Sequence, residues 1–216
     1  MPSRAYGVFQ KNIKQVDKML EAYEDKKEPT RGRKHLDHYT RAALLFLCSA
    51  WEVYIEQIAL EGAEVIANRA KYPDDLPGPV KKKLSDKVKS ASHELEPIRI
   101  ASNWKTYYIE SVKEQTEKIN TPKHGIIQEL FNKYLGIKGD ELLKKIPKLK
   151  LVNGIVTSRG EIAHNVFAEE YLKADLVKEY YDIILELVKG IDVFLWDYLY
   201  DVVETKKKRP WQKTYQ

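Results

Sequence analysis

The stretch Ala42-Ala43-Leu44-Leu45-Phe46-Leu47-Cys48-Ser49-Ala50-Trp51-Glu52-Val53-Tyr54-Ile55 lies at the centre of a long periodic segment. Read as a helix from about Asp37 to Ala70, it places Tyr39, Ala43, Phe46, Leu47, Ala50, Trp51, Tyr54, Ile55 and Ile58 on one broad buried face. Between Ala42 and Ala50 the segment is apolar nearly all round. A helix with so little polar surface belongs inside a bundle, so an all-α fold is expected, with this helix at its centre. Tyr72-Pro73-Asp74-Asp75-Leu76-Pro77-Gly78-Pro79 ends it, because proline cannot donate to the helical ladder.

The flanking segments repeat the 3.6-residue period. Phe9, Ile13, Val16, Leu20 and Tyr23 form one stripe, followed by a polar loop over 24–34. Val80 to His93 is predicted as a short polar helix, with Pro97 ending or bending the next segment. Residues 72–102 therefore read as an insertion on the bundle. A helix is predicted from Asn103 to about Ile119. The next starts at Thr121 as N-cap and Pro122 at its first position, and stops at Gly136. A short helix over Asp140 to Lys145, a stretch from Pro147 and a last long helix over Lys173 to Val203 complete the pattern. No alternating run is long enough for a strand. Residues 1–205 are expected to form one domain and 206–216 a basic tail.

The totals agree with this picture. Of 216 residues 43% are hydrophobic and 32% charged, with a net charge of +5. Such a surplus permits a polyanionic partner without requiring one. A mean hydropathy of -0.53 and the lack of an 18-residue apolar run argue against a membrane span. The first residues lack a signal-peptide core, and the single cysteine, Cys48, rules out a disulfide within one chain. A cytoplasmic location is the simple expectation.

The chemistry is expected in Thr157-Ser158-Arg159-Gly160-Glu161-Ile162-Ala163-His164-Asn165. An imidazole can take a proton from a ribose 2′-hydroxyl and return one to a leaving oxygen. A guanidinium stays charged and grips phosphate oxygens in a planar fork. RNA cleavage by this scheme needs no metal, and no cofactor is expected. Five helical steps of about 100° set Arg159 and His164 roughly 140° apart around the axis. They share no face, so convergence needs a kink or a second copy of the chain. Lys144, Lys145, Lys148 and Lys150 lie upstream as candidates for flanking phosphates. Glu161 and Asn165 are candidates to orient the pair. On spacing alone, an arginine and a histidine near a helix end are ordinarily surface and cap residues.

Arg159 to Asn165 resembles the R-x4-6-H signature of HEPN domains, and it follows an apolar helix, Leu149 to Val156, as it does in that superfamily. Ser49-Ala50-Trp51-Glu52-Val53-Tyr54-Ile55-Glu56 and the segment from Asn120-Thr121-Pro122 to Gly136 resemble the RiboL-PSP-HEPN and MAE-28990-like branches. The resemblance implies an antiparallel helical bundle that forms a homodimer, with both copies of Arg159 and His164 lining one cleft. It also implies an endoribonuclease acting on RNA in toxin–antitoxin, abortive-infection or RNA-repair settings, with an antitoxin or other neutralising partner. The alternative is a non-catalytic RNA- or nucleotide-binding or interaction subunit. Two positions depart from the pattern. Gly160 follows the arginine where Asn or another polar residue is frequent, and Val166 stands where one branch carries a modified tyrosine.

Other residues have plainer readings. His35 and His38 are three apart, but Arg31, Arg33 and Lys34 would repel a cation, so a solvated surface is expected and no metal site. His93 and His124 have no partner pattern. Trp51, Trp104, Trp196 and Cys48 read as packing residues. Glu52 or Glu56 could reach the cleft. Lys206 to Arg209 reads as a solvated tail.

Overall fold

The computed structural model describes residues 2–27, 36–120, 122–164, 171–203 and 207–212; of residues 163 and 164 it describes the backbone alone. Nine α-helices and no strand occur among the described residues: α1 Arg4–Asp25, α2 Asp37–Arg69, α3 Gly78–Lys89, α4 Glu96–Ser102, α5 Trp104–Thr116, α6 His124–Leu135, α7 Gly139–Lys145, α8 Val152–His164 and α9 Ala174–Asp201. The fold is an all-α bundle, as the periodicity requires.

α2 is its axis. Leu44, Leu47, Trp51, Tyr54, Ile55, Ile58 and Ile66 are fully buried along it, and α1, α5, α6, α8 and α9 all pack against it. Contacts fix the directions. α1 runs antiparallel to α2, with Phe9 edge-on to Tyr54 and the Arg4 backbone amide donating to Glu61 Oε1 at 3.1 Å. α9 runs parallel to α2: Leu172 N–H donates to Asp37 at 3.0 Å, Tyr54 O–H to the Val188 carbonyl at 3.0 Å, and Arg69 to the Leu199 carbonyl. At 100° per residue Phe46 falls well off the stripe centred on Leu47, Tyr54 and Ile58. It is 42% exposed, which corrects its expected place on the buried face.

Carboxylates close the start of α1. The orphan amides of Arg4 and Ala5 both donate to Glu61 at 3.1 Å, and buried Asp192 accepts from the Ser3 hydroxyl. Negative charge at a helix N-terminus is favourable, and here it comes from two other helices. The first turn of α1 is thus held both by its own Ser3 cap, which accepts the Tyr6 amide at 3.0 Å, and by carboxylates of α2 and α9.

Several predicted boundaries move. α6 begins at His124, not at Pro122, with Lys123 in the cap position and no capping bond from its side chain; Thr121 lies outside the described residues. The cap comes instead from α8: the His124 amide donates to Asn153 Oδ1 at 3.0 Å. Pro97 sits in the first turn of α4, where its missing N–H is no loss, so it starts a helix where an end or bend was expected. Gly136 does stop α6, at φ 80°. A Cβ there would overlap the Pro77 ring, so glycine is needed for the backbone angle and for the approach of α3.

Two surface expectations also need correction. By length and composition α2 is apolar enough to cross a membrane, but 56% of its most apolar window is buried inside the bundle, as befits a core helix. The basic segment after α9 is not simply solvated. Arg209 lies 3.7 Å from the Trp196 ring centre and donates to Asp197 at 3.2 Å, while Trp196 Nε1–H donates to the Trp211 carbonyl at 2.7 Å. Cation–π stacking thus holds the chain against the last turns of α9; Lys206 lies outside the described residues.

Candidate active site

α8 continues from a 3-10 turn, Pro147–Leu151, that carries buried Leu149. Val152, Ile155 and Val156 are buried and point its inner face at the bundle. Arg159 lies on the same stripe, three and four residues further on, and is half-buried. It therefore enters the seam between α8 and α2 and is not splayed into solvent.

Cys48 shows what stands in that seam. Burial pushes its thiol up to about 12; Arg159 pulls the value down and Glu52 adds to the rise. Both charges therefore lie within electrostatic range of one sulfur. Cys48, Glu52 and Glu56 recur at four-residue steps, so they form a single stripe of α2. Glu56 has its carboxyl raised, first by burial and then by the negative charges of Glu52 and Glu117. Along the seam, Arg159 and Glu52 both act on the buried Cys48, and Glu56 extends the acidic stripe one turn further along α2. In so poor a solvent for ions each charge acts more strongly than it would on the open surface. The thiol itself stays protonated and is not a nucleophile.

His164 ends α8, about 7.5 Å along the axis from Arg159 and about 140° around it. The helix is continuous between them, so no kink brings the pair onto one face. His164 instead continues a second stripe, Asn153, Thr157, Gly160, at steps of four, three and four. A Cβ at Gly160 would meet nothing within 4 Å, so this stripe borders open space. The His164 side chain and Asn165 lie outside the described residues. Glu161 is exposed in the last turn of α8 and not at a helix start, so it meets the negative end of the helix dipole.

The candidate lysines do not gather around Arg159. Lys144 pairs with Asp140 at 3.1 Å and Lys148 with Glu186 at 2.7 Å. Lys145 and Lys148 rim a groove of about 600 Å³ against α9, floored by Pro147, Leu187, Val193 and Phe194. Lys150 is exposed on the 3-10 turn. From Lys148 to Arg159 the helical path is about 18 Å.

The family model for RiboL-PSP-HEPN matches residues 9–197. The chain belongs to the RiboL-PSP-HEPN family. The match runs from the first stripe of α1 to the last turns of α9, so α3, α4 and the α2–α8 seam all fall inside it. Membership places the chain in a superfamily with nuclease and RNA-related roles. Neither curated proteins nor solved structures gave a match.

Sequence reading missed three contacts that frame this candidate site. Asn153 caps α6, Ser158 Oγ lies 3.3 Å from the Tyr180 hydroxyl of α9, and Asp37 takes the Leu172 amide as the chain returns from α8. Each joins residues far apart in sequence, and nothing in local spacing marks them. His38 lies against Tyr39 with ring centres 4.2 Å apart and planes tilted by 40°, and no group of three or more His, Cys, Asp or Glu side chains placed to hold a metal occurs among the described residues; His35 lies outside them.

Proposed function

We propose that this HEPN chain is a metal-independent endoribonuclease acting on single-stranded or loop RNA. The observation that carries the reading is the placement of Arg159: a half-buried cation in a polar seam, five residues before a histidine on a partly exposed stripe. In the reaction His164 takes the proton of a 2′-hydroxyl, whose oxygen attacks the adjacent phosphorus. The bond from phosphorus to the 5′ oxygen breaks, and that oxygen leaves with a proton from imidazolium. The products carry a 2′,3′-cyclic phosphate and a 5′-hydroxyl. Arg159 holds the non-bridging oxygens as charge grows on them.

The site is completed by a two-fold dimer. The 140° offset keeps the pair apart within one continuous helix, and the small residues Thr157 and Gly160 let a second α8 approach closely. One protomer's His164 then acts as base and the other's as acid in a shared cleft. A cytoplasmic toxin, abortive-infection or RNA-repair component with a neutralising protein partner is the setting such an enzyme fits.

The second reading is a non-catalytic RNA-binding or interaction subunit. One observation favours it: Arg159 continues the apolar stripe of Val152, Ile155 and Val156, as a structural arginine would. The test is RNA turnover in EDTA by the purified chain and by His164→Ala, with the melting temperature of the same samples. Loss of cleavage at unchanged melting supports the nuclease; unchanged cleavage, or none by the wild type on pooled cellular RNA, moves the assignment to the binding subunit. Light scattering that finds a monomer at micromolar concentration would remove the shared cleft.

A further inference from the structure

The insertion holds a surface that the nuclease scheme leaves unused. α3 carries five lysines, Lys81, Lys82, Lys83, Lys87 and Lys89, against one aspartate, Asp86. Val80 and Leu84 anchor it to the core. Among the described residues no carboxylate pairs with any of the five; the polar contact of Lys81 is the Asp74 carbonyl at 3.3 Å. Charges left unpaired on one short helix repel each other unless an anion is present.

Aromatic rings are interleaved with this charge. Lys87 lies 5.4 Å from the Tyr107 ring centre, Lys105 5.2 Å from Trp104 and Lys71 5.2 Å from Tyr72. Between α3, α4 and α5 opens a cavity of about 260 Å³. Its floor is Leu84, Val88, Ile100 and Trp104, and Lys81, Ser85 and Asp74 stand at its rim. That volume lies just below the ~300–1,000 Å³ of drug-sized ligand sites, so it suits one planar ring system and no length of polypeptide. The neighbouring acid Asp75 is engaged, accepting the backbone amides of Lys71 at 2.7 Å and Tyr72 at 3.0 Å.

We propose that α3, α4 and the first turn of α5 form a binding surface for single-stranded RNA, with phosphates on Lys81, Lys82 and Lys89 and one base in the cavity beside Trp104. Lysines without carboxylate partners track a phosphate backbone, and a ring-sized apolar slot takes any unstacked base. An acidic protein would satisfy the lysines but has no use for the slot. From Cys48 to Arg69, where the insertion begins, α2 spans about 30 Å. The surface therefore holds a different stretch of the strand from the one at Arg159, and acts as a second anchor for the substrate. The inference rests on the reading of this chain as an RNA enzyme, and names where the rest of the RNA lies.

The test measures binding of a fluorescent single-stranded RNA to the full chain across a salt series, alongside cleavage of the same RNA. Each phosphate contact contributes about 0.7 to the slope of log affinity against log salt for a single strand, so changing Lys81, Lys82 and Lys89 together to Gln should lower the slope by roughly two. Ser85→Phe fills the slot without touching charge; it should weaken binding with the slope unchanged. Both variants should raise KM and leave kcat alone. A wild-type slope in the triple variant, with RNA still cut, overturns this surface and leaves the nuclease reading intact. Failure of the wild type to bind or cut RNA overturns both. A polyglutamate peptide that binds the wild type and Ser85→Phe equally, and displaces the RNA, would assign the surface to an acidic protein and overturn the RNA assignment.

Discussion

Two regions joined by α2 carry positive charge in opposite ways. Beside Cys48 there is one half-buried arginine, with Glu52 in range of the same thiol and Glu56 one turn further along α2. Past Arg69 the lysines of α3 are numerous, and Lys81, Lys82, Lys83 and Lys89 are exposed and backed by rings or open solvent. A desolvated cation has a fixed position and a strong field, which suits a transition state. Exposed cations on flexible stems are tolerant of position and screened by salt, which suits a polymer. The contrast divides the work: removing one charge should matter in the seam, whereas on α3 several lysines must be changed together before charge loss is felt.

The largest effect that can break this division is on turnover. His164→Ala should cut RNA cleavage by about 10²–10⁴-fold. Arg159→Lys keeps charge but loses the planar fork, so it should recover only part of the activity of the wild type. A steady-state assay in EDTA checks both. If any single α3 lysine proved as costly as His164, the contrast between the regions would fail.

Next in size is the joint between α6 and α3. Gly136→Ala forces a side chain into φ 80° and into the Pro77 ring. The left-handed angle alone costs about 1–2 kcal/mol. Thermal melting should show the loss, and the affinity for RNA should fall with it if α3 loses its seat.

Asn153→Ala should cost about 1 kcal/mol, the worth of a helix cap, because the His124 amide then has no partner. Denaturant titration measures it. The change lies on the stripe leading to His164, so a fall in dimer affinity larger than the fall in stability would sharpen the case for that stripe as the interface.

How far these regions were legible in sequence depends on the range of the forces. Trp51, Tyr54 and Ile58 announced α2 because burial writes its period into the chain, and Gly136 announced a stop because only glycine tolerates that angle. Pro122 misled, because the amide it seemed to pre-empt is capped by Asn153, 29 residues from the His124 it serves. Arg209 misled in the other direction, since a basic run reads as solvated until Trp196 and Tyr200 are folded under it. Arg159 stands out in the sequence by its residue type and the HEPN resemblance. That it comes within electrostatic range of Cys48 depends on the angle between two helices, which no local pattern encodes.

The smallest effect tests whether the seam is as poorly solvated as Cys48 indicates. Glu56 carries a raised carboxyl because burial and the charges of Glu52 and Glu117 disfavour its ionised form. Between its unfolded and folded titration ranges the native state binds more protons than the unfolded one, so stability falls as pH rises through that window. Above the window the ionised group burdens the fold; below an ordinary carboxylate value of about 4.3 the burden is absent. Glu56→Gln removes the charge at every pH. It should therefore raise the melting temperature at neutral pH, by about one or two degrees given the partial exposure of the group, and have no effect in acid. Calorimetry at the two pH values measures the difference. A gain that persists unchanged in acid would mean the glutamine packs better, and the picture of a desolvated acidic stripe beside Cys48 would lose its support.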